Sequence, residues 1–401
     1  MSYFINKFFH FKGYFVQKAE SNDSEITIHL SPRRKTAVCP SCEKRTKNIY
    51  EQGKPRKIKH SKYEGKIVLL SLPQRRFFCS LCKKTFNERV DFAEPRARTT
   101  RNFASETICA LSRSSFGTVC ESYHTSYSFL ANHLKKIDFN DPWPKGELRL
   151  GFDEHAYGKR HMMITICELR SRKLLAILPN YSKEAVIRYL EKRTEEEKAR
   201  VVELCFDMKF KQQRTAEGFF PNAKVVIDKF HVLSYAANLI DADRRIICPG
   251  IGRYKYENLK QTMRKPRWKL AEKQKEYLNK IFEEYPELKE RWNIYQKLCL
   301  FYKSMDKEEG RERLKEVRES IENLDRSSYL YPFIGTLTRL EEEILNYFDN
   351  RTTNAFTEGV HTKIKMLKRT SFGFRNIDIY IKKMMLSFLP FLVISSLFLP
   401  R

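Results

Sequence analysis

The sequence has no G-x-x-x-x-G-K-[ST] phosphate-binding loop, no internal repeat and no low-complexity tract. Because such a loop holds nucleotide phosphates, its absence predicts that the activity needs no ATP. The N-terminus lacks the long apolar run that a secretory signal requires. The most apolar stretch, residues 384–400, is interrupted by Pro390 and is shorter than a membrane span. We therefore expect a buried final helix there and no membrane segment.

Disulfide bonds are not indicated either. Four of the ten cysteines form two C-x-x-C pairs. The other six are scattered through mostly apolar contexts: Cys109, Cys120, Cys167, Cys205, Cys248 and Cys299. This pattern favours reduced thiols in a cytosol over a disulfide framework.

Acidic residues are in the minority. The 401 residues include 76 Lys and Arg against 49 Asp and Glu, and the net charge of +27 is spread over the whole chain. A polyanion is the natural partner of such a chain, because each neutralised phosphate releases condensed counterions. The length allows two or three domains.

The two cysteine pairs are spaced as zinc ligands. Cys39 and Cys42 form the first C-x-x-C pair, and Cys79 and Cys82 form the second. Two such pairs can place four thiolates around a tetrahedral Zn²⁺ ion. A site with four cysteines leaves no open coordination position, so we expect it to be structural. The alternatives are a redox pair or two unrelated C-x-x-C sequences.

A helix-turn-helix is predicted after the cysteine pairs. Residues 114–123 and 126–137 have the pattern of two short helices joined by a tight turn. The second helix would enter a DNA major groove. Its exposed side chains would be Ser126, Ser128, Asn132 and Lys135. The same pattern also fits any two short packed helices.

The pattern changes to strands from Glu147. Strands are predicted at residues 148–153, 161–169, 173–178, 201–206 and 223–227, with a helix at 183–193 before the fourth strand and a helical stretch before the fifth. Three strands, a helix, a strand, a helix and a strand is the order of an RNase-H-like α/β fold. Residues 233–345 are helical and highly charged, and a final helix starts near Thr357.

Three acids stand where nuclease chemistry would need them. Asp153 is predicted to end the first strand and Asp207 the fourth, and Glu358 lies on the final helix. Transfer of a phosphodiester uses carboxylates that hold two metal ions. Cations that could bind phosphates follow Glu358: Lys363, Lys365, Lys368 and Arg369. The alternative is that all these side chains are simply solvated, as we expect for the rival acidic run at 341–343.

At these residues the chain resembles the ISL-three family of bacterial insertion-sequence transposases along nearly its full length. The matching runs are the two cysteine pairs and residues 151–154, 220–223, 228–231, 354–369 and 371–376. The resemblance implies an RNase-H-like catalytic domain and a DDE mechanism that depends on Mg²⁺ (or Mn²⁺). It also implies recognition of terminal inverted repeats in double-stranded DNA, insertion into target DNA, assembly as a homo-oligomer on DNA, and a location at the bacterial nucleoid in the cytoplasm.

The resemblance further implies that Asp153, Asp207 and Glu358 are the catalytic triad, with Asp228 and His231 supporting the site. Asp228 is the competing second aspartate. We choose Asp207 because the first and fourth strands lie side by side in the RNase-H-like order. One departure from the family pattern is Asn354-Ala355 in place of its usual Asn-Gly.

The sequence thus predicts an α/β protein with an RNase-H-like core and a helical insertion, preceded by a zinc ribbon and a helix-turn-helix. The expected domains are a zinc ribbon (1–88), a helix-turn-helix (89–145), the first part of the core (146–232), the insertion (233–345) and the final helical part of the core (346–401). The leading hypothesis is a transposase that cleaves and joins DNA. The alternative is a DNA-binding regulator with a catalytically silent core.

Overall fold

The structure is a computed structural model that describes residues 11–139, 142–249 and 253–396, with only the backbone for 253–257 and 395–396. The chain divides into two compact units: residues 1–141 with 364–401, and residues 142–363. The expected domains placed 346–401 together in the core, whereas residues 364–401 group with the N-terminal part. Asp141 lies outside the described residues, and Trp143 is buried among Tyr189 and Phe220 in the second unit.

The first unit contains a five-stranded sheet. Its strands are β1 (Tyr14–Ser21), β2 (Glu25–Pro32), β5 (Ile49–Tyr63), β6 (Lys66–Cys79) and β7 (Lys84–Asn87), and a separate hairpin pairs β3 (Ala37–Val38) with β4 (Arg45–Thr46). The sheet order is β1-β2-β6-β5, with β7 beside β6, and only β2 and β6 run parallel. The apolar runs at 25–30 and 66–72 lie within β2 and β6. The long strand β5 was not predicted, because its first half is polar and exposed.

The turn between β5 and β6 explains their long pairing. Glu64 and Gly65 form a two-residue connection, with φ of 47° and 82°. Positive φ at both central residues matches the right-handed twist of the flanking strands and fixes their register.

Three short helices follow: α1 (Arg101–Arg113), α2 (Phe116–Ser122) and α3 (Tyr127–Lys135). Each begins at a hydroxyl residue, Thr100, Ser115 or Ser126, whose side chain accepts a hydrogen bond from a backbone N–H of the first turn. The two C-terminal helices, α16 (Ile377–Leu386) and α17 (Phe391–Ser396), pack against α1–α3.

The expected single final helix is therefore wrong. The chain leaves the helical conformation after Leu386 and resumes it at Phe391, because Pro390 has no N–H for an interior helical bond. Residues 397–401 lie outside the described part of the chain. No helix among the described residues is both long and apolar enough to cross a membrane.

The second unit is built on a five-stranded mixed sheet. Its strands are β8 (Leu148–Gly158), β9 (His161–Glu168), β10 (Lys173–Leu178), β11 (Val201–Phe206) and β12 (Lys224–Ile227). The order is β10-β9-β8-β11-β12, in which β8, β11 and β12 run parallel and the other two pairings are antiparallel. β8 and β11, the first and fourth strands of this sheet in chain order, are thus neighbours, as predicted. The intervening helices are α4 (Lys183–Leu190), α5 (Glu195–Ala199) and α6 (Gln213–Glu217).

A helical region follows the sheet, as the charged pattern predicts. Its members are α7 (Lys229–Ile247), α8 (Arg253–Met263), α9 (Glu272–Glu284), α10 (Pro286–Phe301), α11 (Lys307–Glu322), α12 (Phe333–Arg339), α13 (Glu341–Leu345) and α14 (Tyr347–Asn350). They share one apolar core, which includes Trp292, Phe301 and Phe333. The next helix, α15 (Ala355–Thr370), carries the last predicted acid.

Candidate active site and zinc cluster

The four cysteines of the two pairs converge in the first unit. Their Sγ atoms all lie within 4.8 Å of one another, and those of Cys42 and Cys79 are 3.6 Å apart. Tetrahedral coordination with Zn–S bonds of about 2.3 Å requires sulfur atoms about 3.8 Å apart. The cluster therefore fits a zinc ion bound by four thiolates.

The backbone around each pair is arranged alike. Glu43 and Lys83, each one residue past a pair, have φ of 58° and 53°. In the first pair the N–H of Glu43 donates to the carbonyl of Cys39 at 2.9 Å, which closes the turn. The N–H of Ser41 lowers the pKa of Cys39 to about 7, whereas hydrogen bonds to the neighbouring cysteines raise the pKa of Cys82.

In the second unit, three aspartates lie at one edge of the sheet. Asp207 and Asp228 directly follow the parallel strands β11 and β12. Asp153 does not end its strand as predicted, because β8 continues to Gly158. The pairing between β8 and β11 nevertheless stops at Gly151, so Asp153 lies just past it. Parallel strands bring their carboxyl ends to the same edge, which explains why these acids meet.

Asp153 is a buried carboxylate. Its Oδ1 accepts the N–H of Glu154 at 2.7 Å, and its Oδ2 is 3.5 Å from Nδ1 of His361. Burial raises the pKa of Asp153 to about 6, and the nearby charges of Asp207 and Asp228 act in the same direction. A cation placed beside it would reverse this effect, since it stabilises the ionised carboxylate.

Asp228 is fully buried and caps helix α7. Its Oδ2 accepts from the backbone N–H of His231 at 3.3 Å and lies 3.0 Å from the ring Nδ1 of the same residue. Its Oδ1 accepts the N–H of Asn354 at 2.9 Å. The hydrogen bond to Asp228 raises the pKa of His231 to about 9, which keeps the imidazole protonated at neutral pH.

His231 links this buried carboxylate to Asp207. Its Nε2 lies 3.8 Å from Oδ2 of Asp207. Asp207 is half-buried, and its Oδ1 receives only a long hydrogen bond, 3.4 Å, from the N–H of Lys209. The lone pairs of Asp207 are thus less engaged than those of Asp228, whose two oxygens already accept from N–H donors.

Glu358 in the first turn of α15 completes the acidic group. One donor atom each of Asp228, His231 and Glu358 lies within 4.8 Å of the others. Partial desolvation and the negative charge of Asp228 raise the pKa of Glu358. Glu358 thus groups with Asp228 and His231, and Asp207 is not a member of this group. We still favour Asp207 as the ligand, because the oxygens of Asp228 are used in capping α7 and holding His231.

Asn354 holds the start of α15 against the strands. It is fully buried, and its side-chain amide donates to the carbonyls of Phe152 and Cys205, at 3.1 and 3.5 Å. Gly151 makes this approach possible, since a Cβ there would be 2.2 Å from Oδ1 of Asn354. The family's usual Asn-Gly is Asn354-Ala355 in this chain. The change does not affect these hydrogen bonds, because Asn354 makes them and Ala355 is exposed.

Two histidines lie within hydrogen-bond distance of Thr165, the residue of β9 that pairs with Asp153. The Oγ1 of Thr165 lies 2.9 Å from Nδ1 of His155 and 3.0 Å from Nε2 of His361. All three side chains are buried. The sequence pattern did not identify Thr165 or His155.

The remaining predicted residues are on exposed surfaces or serve other roles. Ser126, Ser128, Asn132 and Lys135 are exposed on or beside α3, and Ser126 also caps that helix. Lys363, Lys365 and Arg369 are exposed on α15, and Lys368 is half-buried. In the rival acidic run, Glu341 and Glu342 form ion pairs with residues of α11.

Comparisons with known proteins identify the class. A family model of transposases of the ISL3 type, carrying the DDE designation, matches residues 150–384. A second model, described as the zinc finger of transposase IS204/IS1001/IS1096/IS1165, matches residues 35–82. The chain thus belongs to the ISL-three family of transposases, as its resemblance predicted, and its residues 35–82 match the zinc finger of such proteins.

One curated relative supports this assignment. The transposase for insertion sequence element IS1001 from Bordetella parapertussis is 26% identical over 242 residues. The match covers 58% of this chain and 59% of that relative. The chain therefore matches less than two thirds of the length of this relative.

Proposed function

We propose that this chain is a DDE transposase with an RNase-H-like core, which cleaves and joins DNA at the ends of an insertion sequence. The observation that carries the proposal is the acidic group at one edge of the β10-β9-β8-β11-β12 sheet. Asp153, Asp207 and Asp228 lie just past the parallel pairing of three strands, and Glu358 of the late helix lies near Asp228 and His231. Within this group we assign Asp153, Asp207 and Glu358 as the catalytic acids.

The donor atoms at this edge fit a hard divalent cation. Asp153, Asp207 and Glu358 offer carboxylate oxygens, the ligands that Mg²⁺ prefers, and Mn²⁺ accepts the same set. When bound, two such ions would activate the attacking water or 3′-hydroxyl and stabilise the leaving oxygen.

The neighbouring residues keep these carboxylates in place. His231 lies between two aspartates, with Nδ1 3.0 Å from Oδ2 of Asp228 and Nε2 3.8 Å from Oδ2 of Asp207. His361 contacts Asp153 and is itself held by Thr165. Asp228 acts through His231 and Asn354, so we assign it a positioning role.

DNA recognition is proposed for the first unit. Its zinc cluster supports a zinc ribbon, and α2 and α3 are candidates for a helix-turn-helix that binds terminal inverted repeats. The net charge of +27 suits a DNA partner. With about six phosphate contacts, the log–log slope of affinity against salt would be on the order of −5. We also propose that the chain acts as a homo-oligomer on its DNA.

Cleavage of a labelled terminal-repeat duplex by the full chain in Mg²⁺ tests the proposal. We expect cleavage by the wild type and none by Asp153→Asn or Glu358→Gln, each of which should still bind the duplex. Glu341→Gln is the matched control, because that acid belongs to the rival run and pairs with Arg318. Specific binding without cleavage by the wild type would favour the silent regulator.

A further inference from the structure

The end of helix α15 carries an unusual exposed aromatic residue. The side chain of Phe372 is 99% exposed, the highest value among the exposed large apolar side chains in the described part of the chain. Phe374, two residues later, contacts the rings of Phe116 and Tyr380 in the core of the first unit. The segment therefore has an apolar core within reach, and Phe372 is turned away from it.

Phe372 also occupies a backbone position that favours glycine. The N–H of Gly373 donates to the carbonyl of Lys368 at 3.2 Å, and the N–H of Phe372 donates to that of Arg369 at 3.1 Å. These two bonds define a Schellman cap, in which the left-handed residue is usually glycine. Here that residue is Phe372, with φ of 53°, and glycine comes one position later.

The other non-glycine residues with positive φ in the described ranges are all polar or charged: Glu43, Glu64, Lys83, Arg96, His124, Arg172 and Arg351. A bulky residue in this conformation is a genuine outlier and costs stability. Phe372 thus combines unfavourable backbone geometry with full exposure of an aromatic ring. Neither feature stabilises the fold.

The charges beside this ring indicate what it contacts. Lys365, Lys368 and Arg369 precede Phe372 in the last two turns of α15, and Arg375 follows it. Asp378 is the nearest acid after the cap. Clustered cations would hold a phosphate backbone, and aromatic or aliphatic side chains inserted between base steps are a known way for proteins to distort duplex DNA.

We propose that Phe372 inserts between base pairs of the bound duplex and unstacks one base step, while the surrounding cations grip the phosphates. The inference rests on the proposed function for its DNA partner. It assigns to the cap of α15 a DNA-distorting contact that the triad and the zinc cluster do not supply.

The test uses the full chain and terminal-repeat duplexes that carry 2-aminopurine at successive positions. This base fluoresces more strongly when it is unstacked. We expect the wild type to raise the fluorescence several-fold at one or two adjacent positions. Phe372→Ala and Phe372→Gly should abolish the increase, and Phe372→Leu should retain part of it. Met366→Ala is the matched control, because Met366 is 64% exposed on the same helix and should leave the signal unchanged.

Thermal unfolding separates this role from a structural one. Phe372→Gly relieves the strained φ, so its Tm should equal or exceed the wild-type value by about 2–4 °C while the fluorescence signal is lost. A large fall in Tm would instead make Phe372 a structural residue and overturn the proposal.

Each remaining outcome also decides the matter. Cleavage by the wild type without any fluorescence increase would overturn the Phe372 contact and leave the transposase chemistry standing. A Phe372-dependent increase without cleavage would support the contact and contradict the chemistry. A shift from oligomer to monomer in Phe372→Ala without DNA, with the fluorescence signal retained, would show that the ring contacts a second copy of the chain.

Discussion

The backbone N–H of Asn354 donates to Oδ1 of Asp228 at 2.9 Å, and this bond joins the end of β12 to the start of α15. Because Glu358 lies one helical turn further on, its position depends on this junction. The side chain of Asn354 adds bonds to β8 and β11, so a single residue aligns the late helix with three strands. The position of Glu358 relative to the three aspartates is therefore set by hydrogen bonds to the strands.

Gly151→Ala should disturb this junction. The new methyl group would lie 2.2 Å from Asn354 Oδ1 and 2.7 Å from Leu169 Cδ2. We expect the free energy of unfolding to fall by about 1–3 kcal/mol and Mg²⁺-dependent cleavage to fall with it. Gly335→Ala is the control, since nothing lies within 4 Å of a Cβ on that helical glycine. It should be neutral or stabilising by up to about 1 kcal/mol. Equal denaturation curves for Gly151→Ala and the wild type would contradict the packing described above.

Asp207→Asn should mainly reduce cleavage, whereas Asp228→Asn should mainly reduce stability. The first removes a proposed metal ligand from a half-buried position, so cleavage should drop by at least about 100-fold while Tm hardly changes. The second weakens a helix cap and a charged hydrogen bond, which should cost about 2–3 kcal/mol of stability with a smaller loss of cleavage. Cleavage assays and thermal melts on both variants decide the assignment. Robust cleavage by Asp207→Asn beside an inactive but stable Asp228→Asn would reverse the two roles.

Cys79→Ser should release the zinc. Apparent binding free energies of about 10–16 kcal/mol are typical of structural zinc sites, so losing one thiolate should also destabilise the first unit. We expect one zinc per wild-type chain and far less in the variant, by metal analysis after dialysis. Cys120→Ser, at a half-buried thiol outside the cluster, should keep the metal. Retention of a full zinc equivalent by Cys79→Ser would show that the four sulfur atoms do not act together.

His60 should make the stability of the first unit depend on pH. Burial lowers the pKa of this histidine to about 4, and its Nδ1 is 3.1 Å from Oγ1 of Thr100. The unfolded chain, with a histidine pKa of about 6.5, binds more protons between those two values. The contribution of His60 is therefore fully present above pH 6.5 and is lost as the pH falls to 4. The loss would amount to at most about 3 kcal/mol.

The measurement is the difference in Tm between the wild type and His60→Gln at each pH. Zinc release in acid affects both proteins equally, so the difference isolates the histidine. We expect the wild type to lose stability relative to the variant below pH 6.5. Parallel curves from pH 7 to pH 4 would mean that His60 is protonated without cost in the folded state.

Much of the site was predictable because its signals are local. The C-x-x-C spacing and the alternating apolar residues of β8 depend on neighbours in the chain. The connection of Asn354 to β8 spans 202 residues, and that of His361 to Thr165 spans 196. No periodic pattern records such contacts. A local signal was available for Asp228, since an aspartate between an apolar strand and a helical pattern is a typical helix cap.

The grouping of residues 364–401 with 1–141 has a consequence for how the protein is made. Ile379, Leu386 and Ile394 complete the core that α1–α3 form, yet the ribosome synthesises them after the whole second unit. The second unit is continuous in sequence and can fold while the chain is still emerging, whereas α1–α3 must wait with apolar surface uncovered. A fragment ending near residue 140 would keep that surface exposed permanently. A premature stop codon between positions 364 and 396 would remove part of this core and leave apolar residues of α1–α3 uncovered.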